Sequence, residues 1–206
     1  MTNKELDEIA ELAEKHDIFV VSDEIYSKMT YDTKHHSPTV RDGAKERTVL
    51  LDGFSKYYAM TGWRLGFMIA PVDMAKRLND FLVTSISCTA NFTQWAGVEA
   101  LTGDQSFIPK MMKRFKEKRD RIVKGLNSIP GFSCLSPKGA FYAFPNIKKT
   151  GMTSQECADH LLYNAGVAAL PGTAFGPYGE GYLRFSYAAT LENIDKAVEK
   201  IKRSFD

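Results

Sequence analysis

An aspartate and a lysine in this sequence each stand just past a short apolar run. Ser22-Asp23-Glu24-Ile25-Tyr26 follows Ile18-Phe19-Val20-Val21, and Gly53-Phe54-Ser55-Lys56 follows Thr48-Val49-Leu50-Leu51. Continuous apolar runs of this length read as strands buried on both sides. In an open α/β sheet, ligands bind outside the carboxyl ends of the strands. If these two strands are neighbours, a carboxylate and an amine face one crevice. A lysine there can attack a carbonyl as the free amine, and a carboxylate there can hold a heterocyclic cation.

Pyridoxal phosphate chemistry needs both parts. A lysine carries the aldehyde, and an acid keeps the pyridine nitrogen protonated so that the ring accepts electrons. A phenol at the ring oxygen and an arginine at the phosphate complete the set. Tyr26 lies three residues after Asp23, and Arg64 lies eight after Lys56. Taken singly, Asp23 reads as a turn cap, Lys56 as a surface lysine and Arg64 as a salt-bridge partner. Their order, spacing and placement at strand ends argue for the cofactor.

The elements that must position these residues follow from pattern. Thr2 and Glu5 form a capping box for a helix whose Leu6, Ile9, Ala10 and Ala13 share a face. Strands are expected at 18–21, 48–51 and 63–70, the last stopped by Pro71. Helices follow at 73–87 and 92–102. After a break at Thr102-Gly103-Asp104, a long helix covers 106–128 and ends at Pro130-Gly131. Short strands at 132–135 and 140–144, a helix at 153–165 and a strand at 167–170 come next. A Gly- and Pro-rich loop, 171–181, precedes an alternating strand at 182–187 and a final helix from Thr190 to Ser204. The first half is an α/β layer and the second a small α+β unit.

Composition narrows the class of partners. The formal net charge of +2 implies no global field for nucleic acid or an anionic membrane. Lys110, Lys113, Arg114, Lys116, Lys118, Arg119, Arg121 and Lys124 make one helix face basic. Glu117 and Asp120 interrupt it and no nucleic-acid motif accompanies it, so it reads as a solvated face. No apolar run approaches the roughly 20 residues of a membrane span, and no signal-peptide core opens the chain. Cys88, Cys134 and Cys157 suggest neither a disulfide framework nor a metal site, which leaves a reducing cytoplasm as the expected location. The histidines show no ligand spacing, and His35-His36 reads as a solvated loop pair. The glycines of 172–181 match no phosphate-loop or dinucleotide fingerprint.

Two segments resemble signatures of the class I/II, fold type I aminotransferases. Ser22-Asp23-Glu24-Ile25-Tyr26 is similar to the pyridine-binding motif. Gly53-Phe54-Ser55-Lys56-Tyr57-Tyr58-Ala59-Met60-Thr61-Gly62-Trp63-Arg64-Leu65-Gly66 is similar to the lysine signature, most closely in the prokaryotic aspartate aminotransferase subgroup. The resemblance continues through Thr89–Ala96, Lys138–Tyr142, Pro171–Gly176 and Tyr182–Ala188, and so covers nearly the whole chain. It implies a partial doubly wound sheet of three strands from the cofactor-binding large domain, residues 1–103. A small C-terminal α+β domain, residues 104–206, follows.

The resemblance also implies roles. Lys56 forms the Schiff base with pyridoxal 5′-phosphate and shuttles the proton. Asp23 pairs with the pyridinium nitrogen, and Tyr26 hydrogen-bonds the ring oxygen. Arg64 binds the phosphate, helped by Ser55. Arg184 holds the substrate α-carboxylate as a planar fork, for which lysine is a poor substitute. Where many relatives carry a phosphate-binding serine three residues before the lysine, this chain has Gly53. The implied reaction is amino-group transfer between an amino acid, such as aspartate or glutamate, and a 2-oxo acid such as 2-oxoglutarate, in a homodimer. A fold type I lyase is the alternative, although many such lyases carry histidine where this chain has Tyr26. A non-catalytic structural fragment is another. In the family, an Asn-Pro-x-Asn-Pro-Thr-Gly segment, a glycine-rich phosphate turn and a ring-stacking aromatic precede the first helix, and none is present here. The expectation is a chain that cannot catalyse alone.

Overall fold

The computed structural model describes residues 1–205. The chain divides into two units, Met1–Ile108 and Pro109 onward. In the first, α1 (Asn3–Lys15) begins at the Thr2–Glu5 capping box, with both reciprocal hydrogen bonds formed. Three strands follow: β1 (Val20–Asp23), β2 (Thr48–Gly53) and β3 (Gly66–Ile69), in the order β1-β2-β3. β1 runs parallel to β2, with Asp23 opposite Leu51; β3 runs antiparallel to β2, with Gly66 opposite Gly53. Two helices, α2 (Val72–Ile86) and α3 (Asn91–Thr102), complete the unit.

Two expectations about the first unit need correction. The run 18–21 does not lie buried on both sides: Ile18 and Phe19 precede β1 and are exposed, and Val21, on this edge strand, is exposed too. The expected strand 63–70 shrinks to four residues. Thr61–Trp63 is a 3-10 turn, and Arg64 has left-handed backbone at φ 54°, which no strand accommodates.

The boundary between units falls in the first turn of α4 (Phe107–Leu126). Beyond it lie β4 (Tyr142–Ala143), α5 (Ser154–His160), β5 (Leu170–Pro171), β6 (Leu183–Ser186) and α6 (Leu191–Arg203). The sheet order is β4-β6-β5, all antiparallel. Its core gathers Leu126, Ile147, Leu161, Leu183, Tyr187 and Ile201, each almost wholly buried. The expected strands near 132 and 140 are reduced to a Ser133–Asn146 bridge and two-residue β4. The helix expected to 165 ends as a π-type turn over Leu161–Ala165. The basic face of α4 is solvated except at Arg119, which is 7% exposed. Its guanidinium meets Asp120 Oδ1 at 2.7 Å and donates to the Pro137 carbonyl at 3.4 Å, so this cation staples α4 to the following loop.

Candidate active site

Parallel pairing puts the carboxyl ends of β1 and β2 at one edge of the sheet. From β1 the chain enters a turn in which the Ser27 N–H donates to Glu24 O and the Met29 N–H to Tyr26 O, both at 2.8 Å. Met29 is fully buried and anchors the turn. From β2 the chain enters a second turn, where the Ala59 N–H donates to Lys56 O at 3.0 Å. Phe54, Tyr57 and Tyr58 are buried beneath it, and the Phe54 and Tyr58 rings stack at 5.5 Å. Burial of these three leaves Ser55 and Lys56 half-buried at the rim. Lys56 Nζ lies 5.7 Å from the centroid of the Tyr26 ring. The two turns therefore bring an amine and a phenol together across 30 residues of sequence.

Asp23, at the tip of β1, has an exposed side chain and accepts the Ile25 N–H at 3.2 Å. It caps the turn while remaining at the same edge as Lys56. Arg64 donates to Thr61 O at 2.8 Å and lines an open concavity of about 700 Å³ with Ala59, Trp63, Thr89 and Phe92. The glycine at 53 has a packing cause. A Cβ there would lie 2.9 Å from Gly66 Cα and 3.0 Å from Leu65 O, so a larger residue would force β2 and β3 apart.

Arg184 belongs to the second unit, on β6. Its guanidinium carbon lies 4.4 Å from the Tyr142 ring centroid and 4.3 Å from that of Phe175. An arginine held between two aromatic faces keeps its N–H edge for a planar anion.

Two carboxylates near the lysine turn escaped the sequence reading. Asp52 accepts from the Gly53 N–H at 2.7 Å, Ser27 Oγ at 3.3 Å and Tyr57 Oη at 3.4 Å. Burial outweighs these bonds and raises its pKa above the usual aspartate value. Glu24 is 6% exposed. Its oxygens meet His35 Nε2 at 2.7 Å, Ser37 Oγ at 2.6 Å and Ser22 Oγ at 3.1 Å. His35 is an exposed loop residue, as expected, but its Nε2 is engaged by Glu24. The available signal was Glu24 itself, a second carboxylate next to Asp23 at a strand end.

The model of the family "Aminotransferase class I and II" matches residues 1–201. An aspartate aminotransferase of Pyrococcus abyssi is 42% identical over 98% of the chain, which covers 53% of that relative. A crystal structure of an aromatic aminotransferase from Pyrococcus horikoshii superposes with a TM-score of 0.95 at 42% identity, covering 98% of this chain and 55% of that one. An aspartate aminotransferase from Thermus thermophilus with maleate gives 0.92 at 34% identity, with 98% and 52% covered. The chain belongs to the class I and II aminotransferases, a transaminase family that depends on pyridoxal 5′-phosphate. It spans about half the length of the curated relatives it matches. Among the described residues, no helix is long and apolar enough to cross a membrane, and no cluster of three or more His, Cys, Asp or Glu side chains could hold a metal.

Proposed function

We propose that this chain forms the lysine-bearing part of an aminotransferase site that moves an amino group between an amino acid, aspartate or one like it, and a 2-oxo acid such as 2-oxoglutarate. The observation that carries the reading is the Lys56 amine beside the Tyr26 ring, 5.7 Å away at the carboxyl edge of β1 and β2. An amine, a phenol and a carboxylate at one strand edge are the donor set that pyridoxal phosphate requires. When bound, that group supplies an aldehyde and an electron-accepting ring.

Lys56 would hold the aldehyde carbon through Nζ and carry the proton to and from the substrate α-carbon. Asp23 would keep a proton on the ring nitrogen, and the Tyr26 hydroxyl would donate to the ring oxygen. Arg64, with Ser55, would take the phosphate. Arg184 would grip the substrate carboxylate through paired N–H donors. We further propose a homo-oligomer, as is usual in the family.

The chain alone is proposed to be incompetent. Every residue of α2 keeps some exposure, and Phe81, Phe92 and Trp95 are about 70% exposed. Apolar faces of this extent expect cover, and the matched relatives are about twice as long.

The experiment adds pyridoxal phosphate to the chain, reduces with borohydride and maps the label. It is repeated with the complementary half of the Pyrococcus abyssi relative added. The expected result is label on Lys56, weak alone and strong with the complement, and 2-oxo acid formation only with the complement. Label spread evenly over surface lysines in both cases would sink the cofactor reading. Transamination by the chain alone would sink the claim of incompetence.

A further inference from the structure

We propose that Glu24, His35 and Ser37 form a latch that holds the turn bearing Tyr26 in place beside Lys56, and that His35 and Ser37 are positioning residues for this edge of the sheet. The inference rests on the cofactor reading above only for its consequence, not for its geometry.

Glu24 lies between Asp23 and Tyr26. Its backbone N–H donates to Leu51 O at 2.7 Å and so ends the β1–β2 ladder; its carbonyl accepts from Ser27 and so closes the turn. Its side chain is nearly inaccessible, at 6%. A carboxylate so placed is tolerated when its oxygens are paired. Here one oxygen meets His35 Nε2 at 2.7 Å and the other takes Ser37 Oγ at 2.6 Å. Both partners come from the loop between β1 and β2, 11 and 13 residues away.

That loop is itself held. Ser37 Oγ accepts the Thr39 N–H at 3.3 Å and caps the 3-10 turn Pro38–Val40, whose Pro38 is buried. The Glu24 carboxylate therefore ties a fixed loop to the turn that sets Tyr26.

The test compares the wild-type chain with His35→Ala, His35→Gln and Ser37→Ala, without cofactor. Amide hydrogen exchange is read at residues 25–29 against the rest of the chain. The rate of Lys56 acylation by an amine-directed reagent is read against that of exposed Lys4. Losing a hydrogen bond to a charged group predicts about 10- to 100-fold faster exchange at 25–29 in His35→Ala, with Ser37→Ala in the same direction. His35→Gln keeps an N–H donor and is expected within about 3-fold of wild type. The Lys56 to Lys4 ratio moves in His35→Ala and returns in His35→Gln. Exchange unchanged at 25–29, exchange raised equally throughout the chain, or an unmoved ratio would each overturn the latch. If His35→Ala does not fold, Ser37→Ala against His35→Gln provides the same contrast. Absence of pyridoxyl label on wild-type Lys56 would defeat the cofactor reading and leave the latch standing.

Discussion

Burial holds the Asp52 carboxyl above the usual aspartate value of 3.8, despite hydrogen bonds from Gly53, Ser27 and Tyr57; the Glu24 charge adds to the rise. The folded state therefore binds this proton more tightly than the unfolded chain. Its contribution to stability is complete below the unfolded pKa and is lost as pH rises through the folded pKa. Asp52→Asn should thus gain stability relative to wild type as pH rises from about 3 to about 7. Thermal midpoints of the two proteins across that range measure it, and parallel curves would refute it. The thiols also differ. Burial pushes the Cys157 thiol up to about 11 and raises Cys134 as well, whereas Cys88 is exposed. At neutral pH in native buffer, mass mapping after iodoacetamide should find Cys88 alkylated and the other two spared. The strand-end placement of Asp23, Tyr26 and Lys56 was legible because each follows a recognisable run. Asp52 and Glu24 were not, because burial of a carboxylate depends on partners distant in sequence.

At the scale of elements, caps and periodicity were legible and neighbours were not. The Thr2 capping box is local and complete; the equally local Thr153–Glu156 box went unread. The loop 171–181, read as irregular, folds back on itself through two 3-10 turns, Gly172–Phe175 and Pro177–Gly179. A Cβ at Gly172 would lie 2.1 Å from Gly179 O. The backbone can make this approach only without a side chain. Gly172→Ala should cost about 1–3 kcal/mol, the usual range for overpacking. Urea unfolding measures it, and a loss under about 0.5 kcal/mol would show that the loop yields freely. Arg119 belongs to the same lesson: its place on a basic face was periodic, but its burial came from the loop at Pro137.

At the scale of the whole molecule, the chain exposes more surface than two compact units of its mass would. Two independent compact units of half this mass would together expose roughly 11,600 Å²; the chain exposes 13140 Å². The excess includes Val21 on β1, Ile69 on β3, Phe81 on α2 and Trp95 on α3. We predict strong enhancement of a hydrophobic dye and concentration-dependent association, both reduced by the complementary half. Dye fluorescence and sedimentation would test this, and a dye-silent monomer would contradict it.

The sequence by itself determined the family, because a lysine signature and an aspartate motif are contiguous strings whose spacing is set by one strand end and one turn. It also determined the helices, since capping and periodicity act within a few residues. Only the tertiary structure decided which charges are buried, that Lys56 meets Tyr26, that His35 and Ser37 close on Glu24, and that Arg184 sits between Tyr142 and Phe175. Each of those depends on chain segments brought together by packing, and no local pattern encodes the partner.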